Sequence, residues 1–380
     1  MGPLHGVRII EMASLAPGPH AAMMLADMGA EVLRIDRPEP LESNANIVFN
    51  TLNRSRDSLV IDVKTDAGLA ALLRLITEAD GLIESYRPGV MERLGVGPEV
   101  CLELNPRPVY GRVTGWGQDG PLADAAGHDL NYIALTGALH SMGAADGPPP
   151  VPLNLLGDFA GGGMLLAFGI VCALFEAKSS GQGQVIDAAM AEGASALMTY
   201  VHGFRASGMW NDERGSNLLD GSAPFYGVYA TSDGRYVTVA AAEGKFYREL
   251  VARLGFVDEE LPDQHDRARW PEVRKRFENV FASKSQAEWI DLLEGTDSCF
   301  APVLSIPEAA AHPHNVARQA FVEVDGVVQP APAPRFSRTP SQALPGRVLV
   351  DDTDGSLSAW GLTQVEISQL RDNGAVGRNG

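Results

Sequence analysis

Short apolar runs alternate with stretches of helical spacing through the first third of the chain. Runs at residues 7–13, 31–36, 59–63, 81–84 and 109–114 predict strands, and residues 20–29, 66–78 and 98–104 carry helical spacing between them. Such alternation predicts a mainly parallel sheet with helices on both faces. Residues 127–139 predict a helix that opens on His128 and Asp129, followed by a crossing at Pro148, Pro149 and Pro150. The longest uncharged stretch, 159–175, comes directly after Asp158. It is short for a membrane span and contains three consecutive glycines, so it reads as a buried helix with Asp158 at its head. A strand at 185–188 and a helix over 189–206 come next.

The pattern changes after residue 222. Residues 226–230 and 236–240 are strand-like and flank Thr231, Ser232, Asp233, Gly234 and Arg235, a hairpin signal. Helical spacing returns at 244–254, 271–282 and 286–293, which makes this part a smaller α+β domain. Residues 326–350, rich in Pro and polar residues, read as a connector, and 362–372 as a final helix; no internal repeat is visible.

Composition narrows the function. A chain of 380 residues, 45% apolar and 21% charged, suits a soluble protein of two domains. Its formal net charge of −18 argues against general nucleic-acid binding and against docking on an anionic membrane. A small polyanionic ligand would need a local basic cluster. Cys101, Cys172 and Cys299 form no disulfide framework and no metal-binding pattern, which fits a reducing compartment. The first residues lack the apolar run of a signal peptide and the last three make no common sorting tripeptide, so a cytoplasmic location is expected. The turn after the first predicted strand, Ser14 to Pro19, lacks G-x-G-x-x-G, and Pro17 and Pro19 remove backbone donors that a pyrophosphate would use. A P-loop is absent as well. His312 and His314 resemble a metal pair, but no acidic or Cys partner is suitably spaced and Pro313 stands between them; no metal is assigned.

Seven segments together carry a family resemblance: EVLRIDRP at 31–38, ESYRPGV at 84–90, TGWGQ at 114–118, GHDLNY at 127–132, NLLGD at 154–158, GQGQVID at 181–187 and SDGRY at 232–236. In this order, over nearly the whole chain, they resemble the α-methylacyl-CoA racemases of the family III CoA-transferase superfamily. The resemblance implies an α/β fold: a Rossmann-like large domain with a smaller α+β domain, in an interlocked homodimer. On that basis residues 1–190 form a large CoA-binding domain completed by 330–380. Residues 191–222 form a linker helix region and 223–329 the small domain. The implied activity is interconversion of (2R)- and (2S)-2-methylacyl-CoA thioesters, with coenzyme A as part of the substrate and no separate cofactor.

The chemistry sets its own requirements. An α-proton of a thioester is weakly acidic, so removal needs a base at the carbon and donors for the enolate oxygen. Inversion needs a second proton carrier on the opposite face. His128 titrates near neutrality and suits one role. Asp158, at an expected helix start, suits the other, and its own N–H at the positive end of the helix would form part of an oxyanion hole. The resemblance assigns the His to one enantiomer and the Asp to the other. It also brings Glu243 of the other subunit against His128, where a carboxylate would orient the imidazole and favour its charged form. It further points to Arg37, Arg87 and Arg93 for the CoA phosphates, with Lys64 and the backbone around Ile61 and Val63 at the nucleotide end. Gly127, Asp129, Leu130, Asn131 and Tyr132 complete the implied acyl-CoA site, Tyr132 as a wall of the acyl pocket. Arg37 and Lys64 follow predicted strands, the place where open α/β sheets bind ligands. The Met-containing stretches 190–198 and 208–210 are candidates to line an adaptable acyl pocket. A CoA-transferase of the same superfamily would use Asp158 as a nucleophile instead. A non-catalytic acyl-CoA-binding protein would need the cations but not the His/Asp pair.

Overall fold

Six short segments rich in Ile, Val and Leu lie side by side in one parallel sheet. In the computed structural model, which describes residues 2–38, 51–256, 261–348 and 353–376, they are β1 (Arg8–Met12), β2 (Glu31–Asp36), β3 (Asp57–Val60), β4 (Gly81–Glu84), β5 (Val109–Thr114) and β6 (Val185–Ala189). A two-residue strand, Arg347–Val348, adds a seventh member beside β3. The order is Arg347–Val348, β3, β2, β1, β4, β5, β6. The chain therefore leaves β1 in one direction through β2 and β3, then returns to build β4, β5 and β6 on the other side. β1 is buried from Ile9 to Met12, as expected for a strand covered on both faces. Ile9 joins one core cluster with Ala21, Leu25 and Leu166, and Ile10 the opposite one with Leu33, Leu72 and Leu75.

Helices α1 (Pro17–Asp27), α2 (Asp66–Ile76), α3 (Val90–Arg93) and α4 (Pro98–Leu104) fill the crossovers. The α2 start is fixed by Thr65, whose hydroxyl accepts from the Gly68 N–H at 3.1 Å. α5 (Asp129–Ala134) is shorter than the 127–139 helix expected from the sequence. The uncharged run departs further from expectation. It begins as a π-helix, Leu155–Met164, capped by Asn154, and only then becomes α6 (Leu165–Ser180). Asp158 thus sits in the first turn of a π-helix and does not cap an α-helix. Nor is the run buried all round: Leu166, Ala167, Ile170 and Ala173 are buried, whereas Phe168 and Phe175 are 69% and 79% exposed. By length and composition Leu155–Ser180 is apolar enough to cross a membrane, but this inward face is packed. α7 (Met190–Leu197) crosses the π-helix at Gly161 and Gly193, where the backbones touch. The helix expected over 189–206 is two, α7 and α8 (Thr199–Ala206).

β7 (Tyr226–Ala230), β8 (Tyr236–Ala240) and β9 (Phe300–Pro302) form a separate antiparallel sheet, with the 231–235 turn joining the first two. α9 (Gly244–Arg253), α10 (Trp270–Phe281) and α11 (Gln286–Leu293) supply Leu250, Phe277, Phe281 and Trp289 to a core shared with Phe225 and Tyr229.

The described residues fall into two compact units, one within 1–136, 152–197 and 313–380, the other within 137–151 and 198–312. These limits differ from the domains drawn on the sequence. Residues 137–151 join the second unit because the Arg214 guanidinium donates to the carbonyls of Ala144 at 2.7 Å and Gly147 at 2.6 Å. The 191–222 stretch divides between the units. Residues 313–329 belong to the first. There the hairpin β10 (Phe321–Val324) and β11 (Val327–Pro330) is held by Arg54, which reaches Asp27 at 2.6 Å, Gln329 Oε1 at 2.9 Å and the Pro330 carbonyl at 2.7 Å. The expected 326–350 connector has β11 and the Arg347–Val348 strand near its ends, and residues 331–346 between them carry no helix or strand.

A Cβ added to Gly193 would lie 1.9 Å from the Gly161 carbonyl oxygen, whereas one on Gly203, inside α8, would meet nothing within 4 Å. Gly193→Ala is expected to destabilise the protein by about 1–3 kcal/mol, and Gly203→Ala to stabilise it by about 0.5–1 kcal/mol. Urea unfolding midpoints of the two variants check this.

Candidate active site

The carboxyl ends of the central strands open into a cavity of about 840 Å³, and every residue lining it belongs to the first unit. Arg37 enters from the end of β2, Ser14 from β1, Ser85 and Arg87 from β4, and Trp116 from β5. His128, Asn131 and Tyr132 line it from the start of α5, and Asp158 and Phe159 from the π-helix. Sheet topology explains the location. The order reverses at β1 and β4, and the loops leaving them diverge, which leaves a crevice at the strand ends.

His128 holds an extended backbone just before α5. Its N–H donates to Asn131 Oδ1 at 3.0 Å, which satisfies one of the donors a helix start leaves free. The His128 residue is exposed at the cavity. Tyr132 folds back so that its hydroxyl donates to the Gly127 carbonyl, and its ring meets Trp116 edge-on at 4.8 Å. A side chain at 127 would strike that ring, since an added Cβ would lie 2.7 Å from Tyr132 Cε1.

Asp129 is 3% exposed and does not line the cavity. Its Oδ2 accepts from the N–H groups of Gly157 at 2.6 Å and Asp158 at 2.7 Å. This corrects one expectation: the Asp158 N–H, proposed as an oxyanion donor, is already engaged, by the carboxylate of Asp129. The Asp158 side chain is half-buried. Burial pushes its carboxyl above the usual carboxylate range, a hydrogen bond from Asn154 Nδ2 at 3.2 Å pulls it down, and the Asp129 charge pushes it up again.

The other expected ligand residues divide. Arg37 lines the cavity with its guanidinium 4.9 Å from the centre of the Tyr86 ring, and Arg87 lines it too. Ile61 is buried in the core and bridged to Val376. Val63, Lys64, Arg93 and Leu130 lie outside the cavity lining. Met190 is in the lining, but Met198, Met209 and Trp210 are not. Glu243 belongs to the second unit, at the residue before α9. His312 Nε2 pairs with Glu294 Oε1 at 2.8 Å. Two lining residues that sequence reasoning passed over are Ser14 and Ser85, whose hydroxyl oxygens are buried without a hydrogen-bond partner among the described residues. Each closely follows a strand, and Ser85 lies in the 84–90 segment, but nothing in the sequence says those strands are neighbours.

A cavity that presents an imidazole, a carboxyl with a raised pKa and two guanidinium groups can move protons on an anionic ligand. Residues 4–347 match the model of CoA-transferase family III. The chain belongs to that family. This family III chain is 45% identical to "Alpha-methylacyl-CoA racemase" of Mus musculus, over 98% of its length and 97% of the relative's. It is 42% identical to the Homo sapiens protein of the same name, over 99% and 98%. Its fold matches the crystal structure of a CAIB/BAIF family protein from Brucella suis with a TM-score of 0.81, at 23% identity over 94% of this chain and 99% of that one. In the family III chain the parallel sheet thus has a direct structural counterpart.

The raised pKa of Asp158 has a consequence for stability. A carboxyl whose folded pKa lies above its unfolded value is favoured in the fold only while protonated, so its charge at neutral pH weakens the fold. Asp158→Asn is expected to melt above the wild-type protein at pH 7, with the gap closing as the pH falls and the wild-type carboxyl takes up its proton. Thermal melts across about pH 4–8 check the sign.

Proposed function

We propose that this protein is an α-methylacyl-CoA racemase, interconverting (2R)- and (2S)-2-methylacyl-CoA thioesters by 1,1-proton transfer. The observation that carries the reading is the presence of His128 and Asp158 on one cavity in a chain 45% identical to a racemase. One group takes the α-proton from one face to give an enolate, and the other returns a proton to the opposite face. A carboxyl pushed up by burial can hold a proton nearer neutrality, which suits it to give as well as take. Coenzyme A enters as part of the substrate, and the proton transfers need no further cofactor. Arg37 and Arg87 offer charge to its phosphates. Ile61, Val63, Lys64 and Arg93 belong to the outer, nucleotide end in this reading.

Two features support a homodimer. His128 is exposed at the cavity, where Glu243 of a second subunit would meet it. The outward side of α6 exposes Phe168, Val171 and Phe175, an apolar stripe that a second copy would cover. The net charge of −18 opposes an anionic lipid surface as the covering. Three unpaired cysteines fit a cytoplasmic enzyme.

The test is solvent exchange. Incubated in D₂O with (2R)-2-methyldecanoyl-CoA and no acceptor acid, the protein is expected to incorporate deuterium at the α-carbon and approach a mixture of epimers. His128→Ala and Asp158→Ala should each slow this by about 10²–10⁴-fold. CoA transfer to an added carboxylate without exchange, lost only in Asp158→Ala, would replace this reading with a transferase that uses Asp158 as nucleophile.

A further inference from the structure

One of the two guanidinium groups on the cavity lies over an aromatic ring. Arg37 directly follows β2 and is exposed at the cavity, and its guanidinium carbon is 4.9 Å from the centre of the Tyr86 ring. The carboxylates next to these residues are already paired: Asp36 Oδ1 with Arg34 at 3.0 Å, and Glu84 Oε1 with Arg112 at 2.7 Å. Tyr86 lines the cavity too and is fastened at both ends. Its hydroxyl donates to the carbonyl of Ala13, just beyond β1, at 2.9 Å. Its N–H donates to Oε2 of the buried Glu84 at 2.6 Å. Tyr86 also packs against the core cluster that contains Ile10, Leu33 and Leu72.

A ring holds a cation differently from a carboxylate. Its face attracts the guanidinium through the quadrupole of the π-system, without a charge of its own. Tyr86 keeps to that role: burial pushes its phenol above the ordinary range, against the opposing pull of Arg37, so the hydroxyl stays protonated and neutral. A carboxylate in the same place would cancel much of the positive charge and compete with an anionic ligand. Over the ring, Arg37 keeps its charge while its long side chain loses freedom. A phosphate that arrives there meets a guanidinium already in place, and less side-chain ordering is left to oppose binding.

We propose that Tyr86 is a positioning residue for the nucleotide end of the ligand and acts through Arg37: its ring orients the guanidinium and leaves the charge free for a phosphate. The proposal rests on the acyl-CoA reading above, and its test separates the two. Binding of CoA and of adenosine 3′,5′-bisphosphate is measured by calorimetry on the wild-type protein, Tyr86→Leu, Arg37→Ala and the variant carrying both changes. Tyr86→Leu is expected to bind both ligands about three- to tenfold more weakly, and Arg37→Ala about tenfold or more. With Arg37 already replaced, Tyr86→Leu should change either affinity by less than about twofold, a coupling that mere support of the fold would not produce. Tyr86→Phe keeps the ring, its packing and its backbone anchor, and should stay within about twofold of the wild-type affinity. Should Tyr86→Leu fold poorly, Tyr86→Met gives the same cycle. Three results each overturn the proposal while leaving the acyl-CoA reading intact: no loss in a folded Tyr86→Leu, an equal loss with and without Arg37, or a loss in Tyr86→Phe as large as in Tyr86→Leu. A wild-type protein that binds no CoA overturns both.

Discussion

The Asp129 carboxylate holds the site together. It is buried, it immediately follows His128, and one of its oxygens accepts both the Gly157 and the Asp158 N–H. A single side chain thereby ties the start of α5 to the first turn of the π-helix, and so fixes the two candidate proton carriers relative to each other. Charge-assisted hydrogen bonds of this kind are short and stronger than neutral ones, and breaking them would leave two buried N–H groups unpaired. The arrangement has an electrostatic consequence as well. The same carboxylate that anchors Asp158 through its backbone raises the pKa of its side chain. Burial is the larger cause of that rise, and the Asp129 charge adds to it while its oxygen holds the backbone.

Much of the sheet was legible in the sequence because parallel strands buried on both faces leave continuous apolar runs. β2, β4 and β5 fall where the runs do, and the 226–240 hairpin is announced by its turn residues. Three things were not legible. The π-helix has the composition of an ordinary apolar helix, and its close contact with α7 at Gly161 is a tertiary fact with no local signature. The β10–β11 hairpin escaped because what holds it to the first unit is Arg54, more than 270 residues away in sequence at Gln329. The exposure of α6 escaped because uniform apolarity predicts burial only if the chain itself supplies the cover.

The candidate site divides along the same line. His128, Asp158, Arg37 and Arg87 were identified by motif, and the structure brings all four to one cavity. The contact of Asp129 with the Gly157 and Asp158 N–H groups came only from the fold, since sequence adjacency to His128 says nothing of which way a carboxylate points. Ser14 and Ser85 were invisible, being unremarkable residues until β1 and β4 are known to be adjacent. Lys64 and Arg93, named by the same resemblance, lie outside that lining.

The Leu155–Ser180 segment reconciles two opposed requirements. On its inner side, Gly161 meets α7 and Gly163 meets the Pro17 carbonyl and His20 of α1 at distances that no larger residue would permit. Those contacts set Asp158 against the cavity, and glycine's conformational freedom is a loss that the packing must offset. On its outer side, Phe168 and Phe175 present exposed apolar area. In the proposed dimer that area would be covered by the second subunit, and association would supply the burial missing from the monomer. The helix that positions one proton carrier would then also help to hold the subunit whose Glu243 approaches the other. Assembly and proton transfer become properties of one structural element, and a change on either of its sides would be felt at the site.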